Sequence, residues 1–162
     1  MSELKTKITK YPQLEVLDLS GNNLRELPEE LCRLKKLKRV NISNNNHLNW
    51  SQALFTLSEC PKLSSLILSN NSMAVLPAEI YHFDGLQELI LDGNRINPFS
   101  DRNAMNLPET LQRISLIDCD IPYISRESKK LKKLRLIRSN KNEISLWHQL
   151  HWMLPKVEVV LN

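Results

Sequence analysis

Apolar side chains recur along this chain at the first, fourth and sixth positions of a six-residue phrase. Leu14-Glu15-Val16-Leu17-Asp18-Leu19 is the first copy, and Leu37 to Ile42, Leu63 to Leu68 and Leu86 to Leu91 repeat it. Two weaker copies begin at Leu111 and Leu134, so the leading leucines step by 23, 26, 23, 25 and 23 residues. Positions four and six form an alternating pair, the mark of a short strand with one buried face. Such a unit can bury its apolar face only against its own copies. The pattern therefore predicts a solenoid of stacked parallel strands.

After each strand comes a carboxamide, at Asn22, Asn45, Asn71, Asn94 and Asn142, with Cys119 in the same place in the fifth copy. An Asn side chain both donates and accepts, so these residues are expected to form an internal ladder between turns. The phrase Leu-x-x-Leu-x-Leu-x-x-Asn-x-Leu resembles the leucine-rich repeat motif over residues 14 to 162, and the Asn/Cys alternation at position 119 fits it. Leu24-Arg25-Glu26-Leu27-Pro28-Glu29-Glu30-Leu31 and Met73-Ala74-Val75-Leu76-Pro77-Ala78-Glu79-Ile80 are similar to the 23-residue class of intracellular and bacterial repeat proteins. The resemblance implies an α/β fold, a right-handed horseshoe with a parallel concave sheet and short helical or 3-10 convex segments. Pro28 and Pro77 fix φ and withhold an N–H, which favours single 3-10 turns over full helices there.

Two units depart from the pattern. Trp50 to Cys60 places Ala53, Leu54, Leu57 and Cys60 near helical spacing, so a true convex helix is expected. Asn97 to Asn103 reads as a polar, Pro-containing insertion and is expected to protrude as a loop. Both ends need closure. One domain is expected, with an N-terminal cap over 1–13 (Leu4, Ile8, Tyr11), repeats over 14–145 and a C-terminal cap over 146–162. That last cap either uses Trp147 and Trp152 or leaves the strand Val157 to Leu161 as an edge for pairing with another chain.

Composition narrows the function classes. With 162 residues and 41% hydrophobic residues the chain can fill one continuous core, while 3 Gly leave no phosphate-binding Gly-rich loop. Three widely spaced cysteines, Cys32, Cys60 and Cys119, suit reduced thiols better than a disulfide frame. No leader-like or membrane-length apolar run is present in the sequence, so a cytoplasmic protein is expected, with a secreted effector lacking a cleavable signal as the remaining alternative. His148 and His151 stand three apart, but no further ligand lies near, so no metal site is expected. Cys119 is followed by Asp120-Ile121, which lacks the Cys-x-Asp spacing of some bacterial repeat-bearing ubiquitin ligases, and neighbouring Asp118 and Asp120 would raise the thiol pKa. No catalytic residue and no cofactor are expected. The net charge of +4 is concentrated between Arg126 and Lys141, where eight basic residues face Glu127 alone. Lacking interleaved aromatics, this run disfavours nucleic acid as a partner.

If the strands lie side by side, residues between the buried leucines form rows on the inner face. One row reads Val16, Arg39, Ser65, Glu88, Arg113, Leu136, Val159, and the next Asp18, Asn41, Ile67, Ile90, Ser115, Arg138, Leu161. A third contains Ser20, Ser43, Ser69, Asp92 and Ile117. Ile67 and Ile90 are expected as adjacent apolar side chains within a ring of Arg39, Glu88, Asp92 and Arg113, with Ile117 and Arg138 beside them. An apolar middle with a charged rim has the anatomy of a protein interface. The expected function, following the resemblance, is non-enzymatic binding of a protein partner on the concave face. Two alternatives stand beside it: an adaptor or effector fragment delivering an enzyme carried on another chain, and a structural protein that self-associates through its last strand.

Overall fold

The computed structural model describes residues 10–140 and 144–161 together with Thr6 and Ile8, and for 144–148 the backbone alone. Seven strands, β1 (Val16–Asp18), β2 (Arg39–Asn41), β3 (Ser65–Ile67), β4 (Glu88–Ile90), β5 (Arg113–Ser115), β6 (Leu136–Ser139) and β7 (Glu158–Leu161), form one sheet in sequential order. Every neighbouring pair is parallel. Each strand returns to the next through a convex segment, and these alternate in kind. The 3-10 turns Glu29–Arg33, Ala78–His82 and Arg126–Lys130 are interleaved with α1 (Trp50–Ser58), α2 (Asp101–Asn106) and α3 (Ile144–Met153). The alternation explains the uneven step, since the units with steps of 26 and 25 residues are those that carry α1 and α2.

The leading leucines and the strand positions facing away from the concave side make one apolar cluster running from Ile8 to Leu154. The ladder follows it. Asn45 Nδ2 donates to the carbonyls of Leu19, Ile42 and Ser43. Its N–H reaches Asn71 Oδ1 at 2.6 Å, and the Asn71 N–H reaches Asn94 Oδ1 at 3.0 Å. In the fifth unit the Cys119 thiol donates to the Leu91 carbonyl at 3.2 Å, the bond that Asn94 makes to Leu68 one turn earlier. Asn22 is an exception. It is exposed and, among the described residues, bonds to the Ser20 carbonyl, since it follows the first strand of the sheet. Asn142 lies outside the described residues. The residue before each ladder position turns the chain with positive φ, at Gly21, Asn44, Asn70, Gly93 and Asp118. Gly93 has a second reason to be glycine: a Cβ there would lie 2.0 Å from Asn70 Oδ1.

Two expectations are corrected. The insertion at 97–103 does not protrude. Ser100 caps α2, Pro98, Phe99 and Asn103 are buried, and Phe99 is fully enclosed in the core. The polar residues serve the backbone: Asn103 Oδ1 accepts from the Leu76 N–H, and its Nδ2 donates to the Asn97 carbonyl. The last strand is also shifted. Glu158 pairs with Leu136 and Val160 with Arg138, so Glu158 and Val160 join the concave rows in place of Val159 and Leu161. Val157 closes the turn Leu154-Pro155-Lys156-Val157 as Leu63 closes Cys60-Pro61-Lys62-Leu63, but the chain then enters its strand one residue sooner. At the ends, Tyr11 is 54% exposed and Trp152 is 67% exposed, whereas Ile8 is buried. Leu4 and the Trp147 side chain lie outside the described residues.

Candidate functional site

The inner face is built by strands of three or four residues, which leaves each strand two side chains on the concave side. Arg39, Ser65, Glu88 and Arg113 fall in one row across β2 to β5. Arg39 Nη1 donates to Ser65 Oγ at 2.9 Å and to Glu88 Oε2 at 2.8 Å. Ser65 Oγ itself donates to the same carboxylate oxygen at 2.6 Å. From the other side Arg113 Nε donates to Glu88 Oε1 at 3.2 Å. Arg39 reaches across two strand spacings, roughly 9.6 Å, because the intervening side chain is a small serine that joins the bond chain and does not block it.

Burial works against the Glu88 charge, but the Ser65 and Arg113 hydrogen bonds and the charges of Arg113 and Arg39 outweigh it, holding the carboxyl below its usual range. The carboxylate is therefore an internal clasp with both oxygens engaged. Asp92 is similarly occupied, since its Oδ1 accepts from the Ile117 N–H at 2.9 Å. Arg138 is exposed with no carboxylate partner among the described residues.

Ile67 and Ile90 are directly paired in adjacent strands, as the rows predict. Both are half-buried, as is Ile117. Seven of the eight nominated residues, Arg39, Glu88, Ile90, Asp92, Arg113, Ile117 and Arg138, line one concave depression of about 390 Å³. Ile67 lies beside it. Leu136 and Ser115 complete the wall and were not nominated, although both stand in the rows. Ser65 was overlooked as well, and its role is legible afterwards as a small residue between an arginine and a glutamate in one row.

A model of two-copy leucine-rich repeats matches residues 12–54. The chain belongs to the leucine-rich repeat family. Among relatives of this repeat protein, an adenylate cyclase of Schizosaccharomyces pombe is 25% identical over 99% of the chain, but only 12% of that enzyme is matched. Receptor-like protein 9a of Arabidopsis thaliana is 31% identical over 74% of the chain and 13% of its own length. Tubulin-specific chaperone E of Mus musculus is 30% identical over 65% of the chain and 21% of its own length. The chain thus spans about an eighth to a fifth of these relatives. A solved leucine-rich repeat protein of Leptospira interrogans superimposes with a TM-score of 0.66 at 24% identity, covering 96% of the chain and 38% of that structure. This likeness is one of fold.

Among the described residues no three of His, Cys, Asp and Glu converge as a metal-ligand set, and no helix is long and apolar enough to cross a membrane. The His148 side chain lies outside the described residues, and His151 is exposed. The basic run does not form a single patch. Arg138 faces the concave side, Lys130 donates to the Met105 carbonyl at 2.6 Å, and Lys129, Lys132 and Arg135 gather at the flank. Lys141 lies outside the described residues.

Proposed function

We propose that this chain is a non-enzymatic module that binds a protein partner through its concave face. The observation that carries the reading is the pair of half-buried isoleucines Ile67 and Ile90, with half-buried Ile117 in the next row, beside a clasped row of charges and Arg138, which has no carboxylate partner among the described residues. The clasp holds Arg39 and Arg113 in place before a partner arrives, so little side-chain freedom is lost on binding. The apolar tips supply area to be dried, and the charged rim supplies selectivity. The names of the relatives support a binding role over a particular reaction. What an adenylate cyclase, a receptor-like protein and a tubulin chaperone share with this chain is a stretch that covers 12%, 13% and 21% of their respective lengths. A cytoplasmic setting belongs to the same proposal, in keeping with three cysteines that are not joined in disulfides.

The test replaces Ile67 and Ile90 together with Thr, which keeps the β-branched shape that strands favour and removes the apolar tips. Intact protein on a matrix is expected to retain a protein from lysate that the Ile67→Thr, Ile90→Thr form does not retain, with melting midpoints within a few degrees of each other. Equal retention by both forms would place binding elsewhere.

A second reading is self-association through β7. Among the described residues that strand has β6 as its one neighbour, and Leu150, Val157, Val159 and Leu161 line an open cleft of about 350 Å³ at the same end. Mass in solution that rises with concentration, and stops rising on Val159→Lys, would favour it.

A further inference from the structure

The flank where convex segments turn back into strands carries the same joint twice, and one copy lacks its counter-charge. At the first joint Leu34-Lys35-Lys36-Leu37-Lys38 lies beside Cys60-Pro61-Lys62-Leu63. At the second, Leu131-Lys132-Lys133-Leu134-Arg135 lies beside Leu154-Pro155-Lys156-Val157. The backbone confirms the equivalence. The Glu15 carbonyl accepts from the N–H groups of Lys38 and Arg39, and the Gln112 carbonyl accepts from those of Arg135 and Leu136. At the first joint Glu15 binds Lys38 Nζ at 2.8 Å. Lys38 chiefly, with Lys36 and Lys62 adding their charges, holds the Glu15 carboxyl below its usual range. At the second joint that carboxylate is replaced by the neutral Gln112.

The second joint also opens into a groove of about 270 Å³. Leu131, Leu134 and Leu154 form its buried floor, and Met153 and Val157 its half-buried walls. The rim carries Lys129, Lys132, Arg135 and Lys156, all exposed and none ion-paired among the described residues. Arg135 Nη1 donates to the Lys132 and Leu134 carbonyls at 2.8 Å, which fixes its guanidinium at the rim. The Lys129 ammonium sits 4.4 Å over the Trp152 ring, a cation–π contact that braces the outer wall. Glu109 and Glu127 act on Lys130, whose ammonium is turned toward the Met105 carbonyl, and Glu158, whose N–H donates to the Arg135 carbonyl, is exposed and forms no ion pair among the described residues.

The geometry points to this groove as a second docking surface, distinct from the concave face, for an acidic protein segment. One bulky apolar side chain of the segment lies on the leucine floor, and the flanking carboxylates meet Lys132, Arg135 and Lys156. The volume falls short of the ~300 Å³ at which small-molecule pockets begin, and suits one or two large side chains. Four cations without ion-pair partners among the described residues, set around apolar walls, match carboxylates flanking a hydrophobic residue, whereas a phosphate chain alone would leave the floor uncovered. A membrane surface is met by a protruding apolar face, and here the apolar atoms lie at the bottom of a trench.

The probe is a fluorescein-labelled peptide, Glu-Asp-Glu-Phe-Glu-Asp-Glu, titrated with the whole chain by anisotropy at about 50 mM salt, where surface charges are weakly screened. Reversing two rim charges with Lys132→Glu and Lys156→Glu is expected to weaken binding about tenfold or more, and replacing the peptide Phe with Ala about fivefold. The matched first-joint variant, Lys35→Glu with Lys62→Glu, makes the same change in net charge and is expected to shift binding less than about twofold. Absence of binding, equal loss in both variants, indifference to the peptide Phe, or stronger binding to phosphatidylserine vesicles than to the peptide would overturn the assignment.

Discussion

Glu88 shows how one side chain organises the concave face. Its carboxylate accepts from Arg39, Ser65 and Arg113, three partners brought from three strands. Because its folded-state pKa is depressed, the stability it contributes is present in full above its usual value of 4.5 and is lost as pH falls through the lower folded value. Glu88→Gln is therefore expected to lower stability by about 1 kcal/mol at neutral pH, since the partners are partly solvated. The difference from the unmodified protein should shrink in urea melts as pH is lowered from 7 through 4.5 to 3. A gap that persists undiminished at that pH would mean that packing, not charge, is what the substitution removes. The Arg39-Ser65-Glu88-Arg113 row could be read from the sequence, because strand periodicity puts these residues in line. That Asp92 spends an oxygen on the Ile117 N–H could not, because it depends on how the loop after β5 settles.

At the scale of elements, the convex segments alternate between 3-10 turns and α-helices, and a side-chain amide on each helix ties it to the unit before. Gln52 of α1 accepts from the Leu27 N–H and donates to the Leu27 carbonyl, and Asn103 of α2 accepts from the Leu76 N–H. Gln149 of α3 accepts from the Ile124 N–H in the same way. These hooks satisfy the backbone next to Pro28 and Pro77, where the chain has left its strand and not yet begun its turn. The ladder does the same along the inner corner. Asn71→Ala would orphan the buried Asn45 N–H and take one of two amide donors from each of the Ile42 and Leu68 carbonyls, and is expected to cost about 2–3 kcal/mol. Asn22→Ala, with one exposed bond, should stay within about 0.5 kcal/mol. Guanidinium melts of the two variants check this, and equal effects would deny the ladder its role. The α1 helix was legible from its apolar spacing. The α2 helix was not: only six residues long, it shows its Asn, Asp and Arg residues to a sequence reader as a loop, and Phe99 reveals itself as core only when the turn folds inward.

Across the whole molecule each unit touches its neighbours, and a single apolar cluster extends from Ile8 to Leu154. Stability in such a stack is a sum of neighbour terms, and a central defect is felt on both sides. Leu66 of β3 is fully buried at the middle of the sheet, so Leu66→Ala is expected to cost about 2–5 kcal/mol. Far-UV circular dichroism and Trp fluorescence should move together to the lower midpoint. Separate transitions would show that the two halves fold independently.

The sequence by itself determined the repeat, the strands, the ladder positions Asn45, Asn71, Asn94 and Cys119, and the concave rows up to β6. All of these follow from the local period of two within a strand and from the constant step between units. Only the tertiary structure decided what depends on the meeting of distant segments. It turned the 97–103 insertion inward, moved β7 by one residue, engaged Asp92 with the backbone, and divided the basic run between the concave face, the convex side and the flank groove. In that groove Lys156 is brought beside Lys132 by the stacking of one unit on the next, and no linear pattern of residues contains that neighbour relation.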